Sequence, residues 1–144
     1  MKLVSILLVL VSGLIVSGCG DDDEEEPAAP TKAAFIAEAD RICAEADRSL
    51  SAEAREQYPE GPPLGEDAVR FAEDVLIPNL EGQHEAIATL TPPEDAEDAV
   101  SDILEKLQAG IDELKGEPKG FVESEALVPA SAAADDFGLT ECGI

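Results

Sequence analysis

The chain has 144 residues, with 33 acidic against 9 Lys and Arg side chains and a formal net charge of −24 at pH 7. A field of that sign repels phosphate backbones and anionic headgroups, which excludes nucleic-acid partners and favours cationic ones. With no Trp, one Tyr and four Phe, any core is aliphatic and alanine-rich, and the length suits one domain.

Lys2 precedes an almost unbroken apolar run from Leu3 to Val16. The run is shorter than the roughly 20 residues that a spanning helix needs. Asp21, Asp22, Asp23, Glu24, Glu25 and Glu26 follow at once. This is the layout of a cleaved signal peptide over residues 1–18. Val16-Ser17-Gly18-Cys19 resembles the lipobox of bacterial lipoproteins, in which small residues precede the modified cysteine. The resemblance implies a diacylglyceryl thioether on Cys19, cleavage before it, and N-acylation by a palmitate-type chain. The expected location is extracytoplasmic, anchored to the outer face of a bacterial cell membrane. Two or more acyl chains give stable anchoring where one gives only marginal binding.

Residues 19–30 carry that cysteine and then an acidic, disordered tether, extended by like-charge repulsion and stiffened by Pro27 and Pro30. Its acids lack the interrupted Asp-x-Asp-x-Asp-Gly spacing that wraps Ca²⁺.

The rest, residues 31–144, reads as helical. Thr31 is the expected N-cap of a helix over 32–57, with Phe35, Ala39, Ile42, Ala46 and Leu50 as its apolar stripe. Pro59, Gly61, Pro62, Pro63 and Gly65 mark a loop. A second helix is expected over 66–90, burying Val69, Ala72, Leu76, Leu80, Ile87 and Leu90 and kinked near Asp74 by Pro78. Thr91-Pro92-Pro93-Glu94 matches a capping box and predicts a third helix over 92–115. Ala96, Val100, Ile103, Leu107, Ile111 and Leu114 form its stripe. A turn near 121–127, around Phe121 and Val122, should lead to a short helix over 129–137. Gly138 with Leu139 beyond it predicts a Schellman stop.

No alternating strand pattern and no internal repeat is present, so the expected fold is all-α. It is an antiparallel bundle of three long helices and one short helix. If Cys19 is acylated, Cys43 and Cys142 are left as an even pair in an oxidising compartment, and a disulfide between them would close the bundle. Their wide separation argues against a Cys-x-x-Cys redox centre.

Three segments resemble a group of small actinobacterial secreted or lipid-anchored helical proteins. They are Phe35-Ile36-Ala37-Glu38-Ala39-Asp40-Arg41-Ile42-Cys43, Leu90-Thr91-Pro92-Pro93 and Gly138-Leu139-Thr140-Glu141-Cys142-Gly143. The resemblance implies a helical bundle and paired cysteines. It implies no activity.

Chemistry-bearing patterns are sparse. His84 is the only histidine. It falls beside the buried stripe of the second helix, near Glu81 and Glu85, without a second ligand or a nucleophile in sequence reach. A solvated or hydrogen-bonded helix-face role fits it better than general-base or metal chemistry. There is no Gly-x-Ser-x-Gly elbow, no Gly-rich phosphate loop and no His-Glu-x-x-His helix. Adjacent acids such as Glu73/Asp74, Asp95/Glu97/Asp98 and Asp135/Asp136 carry little information in a chain this acidic. No cofactor, metal or catalytic residue is expected. The expected function is that of a non-enzymatic, membrane-anchored interaction or small-ligand-binding module, with an envelope protein or a cationic species as partner. Two alternatives are a cation-responsive envelope protein, binding Ca²⁺ or basic peptides through its carboxylates, and an envelope enzyme using His84.

Overall fold

A computed structural model describes residues 30–118 and 124–142. The leader, Cys19 with its lipobox, most of the acidic tether, and Phe121 and Val122 lie outside the described residues. Among the described residues the regular structure is wholly helical, forming four helices and no strand.

Helix α1, Lys32–Gln57, has the bounds its periodicity predicts. Thr31 stays extended and its Oγ1 accepts the Ala34 N–H at 3.2 Å, satisfying one of the free donors of the first turn. Phe35, Ala39 and Cys43 are buried, while Ile42, Ala46 and Leu50 are half-buried. The inward face is therefore rotated slightly towards Cys43. Arg41 bridges Glu38 and Glu45 on the exposed side.

Helix α2 is continuous from Glu66–Phe71 through a π-helical turn at Ala72–Leu76 into Ile77–Ala88. Pro78 lacks an N–H and its ring crowds the carbonyl four residues back, so α-geometry cannot run through unchanged. The chain widens instead, and the Ile77 N–H donates to Ala72 O, five residues back. The kink expected at Asp74 is thus a π-bulge. The extra residue also moves the buried face. Ala68, Phe71 and Ala72 are buried before it, and Ile77, Leu80 and Ile87 after it, while the expected Val69, Leu76 and Leu90 are half-buried.

Helix α3, Glu97–Gly116, begins five residues later than the capping box predicts. Ala96 is its N-cap, without a side-chain cap hydrogen bond. Consecutive prolines explain the delay. A residue before proline is driven out of the α region, so Pro92 cannot begin a helix ahead of Pro93. Pro93 instead buries its ring, and its carbonyl accepts the Ala96 N–H at 3.0 Å in a turn. Glu97 and Asp98 then sit in the first turn, where carboxylates suit the helix dipole.

Helix α4, Val128–Phe137, follows with Pro129 in its first turn. Gly138 takes φ +104°, a left-handed conformation that a Cβ would strain. The Gly138 N–H donates to Asp135 O at 3.0 Å and the Leu139 N–H to Ala134 O at 2.9 Å. These are the two hydrogen bonds of the predicted Schellman stop.

Two apolar clusters form the interior. One joins Phe35, Ala39 and Cys43 of α1 to Ile87, Val100, Ile103, Ala134, Phe137 and Leu139. The other joins Ile77 and Leu80 of α2 to Ile111, Leu114 and Ala126. Gly110 of α3 makes the second cluster possible, since a Cβ there would lie 2.6 Å from Ala126 O. The Cys43–Cys142 disulfide forms as expected, spanning 99 residues with a Cα separation of 5.1 Å.

Candidate functional site

Between the two apolar clusters lies a cavity of about 580 Å³. That is within the ~300–1,000 Å³ typical of small-molecule sites. Leu80 and Leu114 come to its wall from one cluster, and Ile87, Ile103 and Leu139 from the other. Leu107, expected to be buried on α3, is half-buried because it faces this space. Leu76, displaced from the core face by the π-bulge, lines it as well. The disulfide forms part of the wall through both Cys43 and Cys142.

The polar members of the wall come from five separate segments. Asp47 belongs to α1, Gln83 to α2, Ser124 to the turn before α4, Ser131 and Asp135 to α4 and Glu141 to the tail. Asp47, Asp135 and Glu141 are exposed, so their carboxylates stand at the mouth. Among the described residues none of the three has an ion-pair partner, and no lysine or arginine lines the cavity. Gln83 is held in place. Its Nε2 donates to Asn79 Oδ1 at 2.9 Å, and Asn79 Nδ2 donates to Ala46 O at 3.0 Å, tying α2 to α1 beside the cavity. Gln83 therefore keeps its carbonyl oxygen and its second amide N–H to offer.

The tail that supplies Glu141 and Cys142 is fixed by Asp40. Its Oδ1 accepts the N–H groups of Thr140 at 2.9 Å and Glu141 at 3.0 Å, and its Oδ2 accepts the Thr140 hydroxyl at 3.1 Å. Asp40 lies on α1 one position from the buried Ala39. The apolar periodicity assigns a role to neither Asp40 nor Asn79. An acid and an amide next to stripe positions were the available signal, but their partners lie far off in sequence.

His84 is half-buried on α2 and has no hydrogen-bond or ion-pair partner among the described residues. It is not part of the cavity wall, whose nearest members are Gln83 and Ile87. Glu81, its neighbour, is instead paired with Lys115 of α3, and that contact raises the Lys115 pKa through the hydrogen bond. Among the described residues no three His, Cys, Asp or Glu side chains are gathered so as to hold a metal ion. No helix among them is long and apolar enough to cross a membrane. A second, more open depression contains Lys32, Asp102 and Lys106. Its cations are already engaged, Lys106 by Asp102 and Lys32 over the Phe137 ring at 4.3 Å.

No protein-family model matches the chain, and neither a curated protein nor a solved structure matches it.

Proposed function

We propose that this chain is a lipid-anchored extracytoplasmic binding module. In this reading Cys19 carries the acyl chains, residues 19–30 hold the domain away from the membrane, and residues 31–144 form an antiparallel bundle that binds without catalysis. The observation that carries it is the aliphatic cavity of about 580 Å³. Interiors are close-packed, and a domain of this size usually leaves few voids larger than a water molecule. A large gap walled by leucine and isoleucine costs stability unless something fills it. The interior thus supports ligand binding, while among the described residues no constellation of nucleophile, base and orienting group stands beside it.

Two measurements test the reading. Titration with a neutral solvatochromic dye such as Nile red should give saturable, one-to-one binding with a blue-shifted emission. Enlarging Leu107 to Trp should abolish that binding while leaving the helical content unchanged. A dye that does not bind, or that binds the Leu107→Trp variant equally, would remove the cavity as the site. The anchor is tested separately by intact mass of the protein purified from its native envelope. The expected mass is that of a chain beginning at an acylated Cys19, and a chain retaining residues 1–18 would overturn the anchoring.

A further inference from the structure

The charged groups of the cavity wall are all anionic, and this selects among ligands. Asp47, Asp135 and Glu141 bring three carboxylates to the mouth, none of them neutralised by a cation among the described residues. Gln83 donates one of its two amide N–H groups to Asn79, and its carbonyl oxygen can accept from a ligand; Ser124 and Ser131 are the other polar groups of the wall. Beneath them the floor is aliphatic, formed by Leu80, Ile87, Ile103, Leu114 and Leu139. We propose that the cavity takes an amphiphile with a single apolar chain and a cationic head, the chain lying between the two core clusters and the head at the Asp47–Asp135–Glu141 mouth. This deepens the binding role proposed above and rests on it.

The physical argument is one of complementarity on both parts of the ligand. An alkyl chain leaving water gains about threefold to fourfold in affinity per buried methylene. A carboxylate-headed chain would gain the same from its tail. Its head, however, would meet three like charges, and juxtaposed like charges at a binding surface are strongly disfavoured. An ammonium head meets three unpaired carboxylates, and a primary amine can also donate to Gln83. The chain's overall charge of −24 adds a longer-range attraction of the same sign, which raises encounter rates rather than fixing where the ligand sits.

The test displaces Nile red from the full-length protein with three probes of equal chain length, each below its micelle concentration. The probes are decylammonium, decanoate and 1-decanol. Decylammonium should displace the dye at the lowest concentration, decanol at an intermediate one and decanoate at the highest. The variant Asp47→Asn/Asp135→Asn/Glu141→Gln should weaken decylammonium by roughly tenfold, since an exposed ion pair contributes about two- to fivefold. It should leave decanol unchanged. A second triple variant, Glu53→Gln/Glu56→Gln/Glu60→Gln, removes the same charge from exposed positions that do not line the cavity. It should weaken decylammonium less than about twofold, because distant exposed charges are screened. Decanoate competing as well as decylammonium, or the remote triple acting as strongly as the mouth triple, would overturn the cationic head. Failure of all three probes to displace a dye that does bind would likewise overturn it while leaving the cavity as a dye site. Failure of the dye itself to bind would remove the cavity reading beneath it.

Discussion

The two apolar clusters of this bundle are secured by different means. Around Phe35 and Phe137, which meet edge-to-face at 5.9 Å, the chain is closed three times over. The disulfide links α1 to the tail, Asp40 holds Thr140 and Glu141, and the Schellman stop at Gly138 turns Leu139 inward to 1 % exposure. Around Ile111 there is no covalent closure among the described residues. That end depends on the fit of α2, α3 and the 124–127 turn, on the narrow backbone at Gly110, and on a Lys115–Glu81 pair at the surface. The cavity lies between the two, walled by the disulfide on one side and by close packing on the other. A chain with few aromatic side chains thus uses cross-linking where the tail must be recruited and small-residue packing elsewhere.

The largest expected effect comes from removing the covalent closure. A bridge across 99 residues stabilises by about 4–5 kcal/mol in the loop-entropy account, a large share of the ~5–15 kcal/mol typical of a domain. Urea denaturation of the oxidised and reduced protein should show that loss. Amide exchange should rise first in α4 and the tail, with the α2–α3 contacts retained longer. Uniform loss of protection would mean that the two ends do not behave separately.

Next in size is Ile111→Ala, at a fully buried position, where truncation should cost about 2–5 kcal/mol. Leu107→Ala, one turn away on the cavity wall, should cost clearly less, because Leu107 is already half-buried against open space. Equal costs in chemical denaturation would argue that the cavity closes in solution.

Gly110→Ala opposes two terms of known sign. Alanine gains up to about 1 kcal/mol of helix propensity over glycine, whereas overpacking costs about 1–3 kcal/mol. The new Cβ would sit 2.6 Å from the Ala126 carbonyl oxygen, a backbone atom that cannot turn aside, and 2.9 Å from Leu127 Cδ2. The steric term should win, and the variant should melt lower. Gly82→Ala on α2, with no atom within 4 Å of its Cβ, is the matched control and should melt higher.

Much of this architecture is legible in the sequence, and the misses share a cause. The bounds of α1, the stop at Gly138 and the Cys43–Cys142 bridge follow from local patterns or from cysteine parity. The face of α2 is misjudged because periodicity counts in steps of 3.6, and a π-bulge before Pro78 adds a residue that no such count contains. The start of α3 is misjudged because a capping-box pattern weighs Thr91 and Glu94 while the second proline vetoes the geometry. The cavity was invisible for a different reason. Leucine at Leu76, Leu80 and Leu107 looks the same in sequence whether it fills a core or lines a gap, and only the crossing of α2, α3 and α4 decides.

The smallest expected effect separates the two ends by pH. Near the closed end, the Arg41 guanidinium hydrogen-bonded to Glu38 holds that carboxyl below its ordinary range. A lowered folded pKa contributes stability above the unfolded value, and that contribution is lost as pH falls through the folded one. At the other end, the Glu81 carboxylate holds the Lys115 ammonium above its ordinary range. A raised folded pKa contributes below the unfolded value and is lost as pH rises through the folded one. The stability that the lowered Glu38 pKa contributes is therefore lost in acid, and that contributed by the raised Lys115 pKa is lost in alkali. Both pairs are exposed and screened by salt, so the changes are slight. Glu38→Gln should flatten the acid limb of the stability curve at low ionic strength and leave the alkaline limb alone, whereas Lys115→Met should flatten the alkaline limb. Identical curves for the two variants would show that the ion pairs act through net charge rather than at their own ends of the bundle.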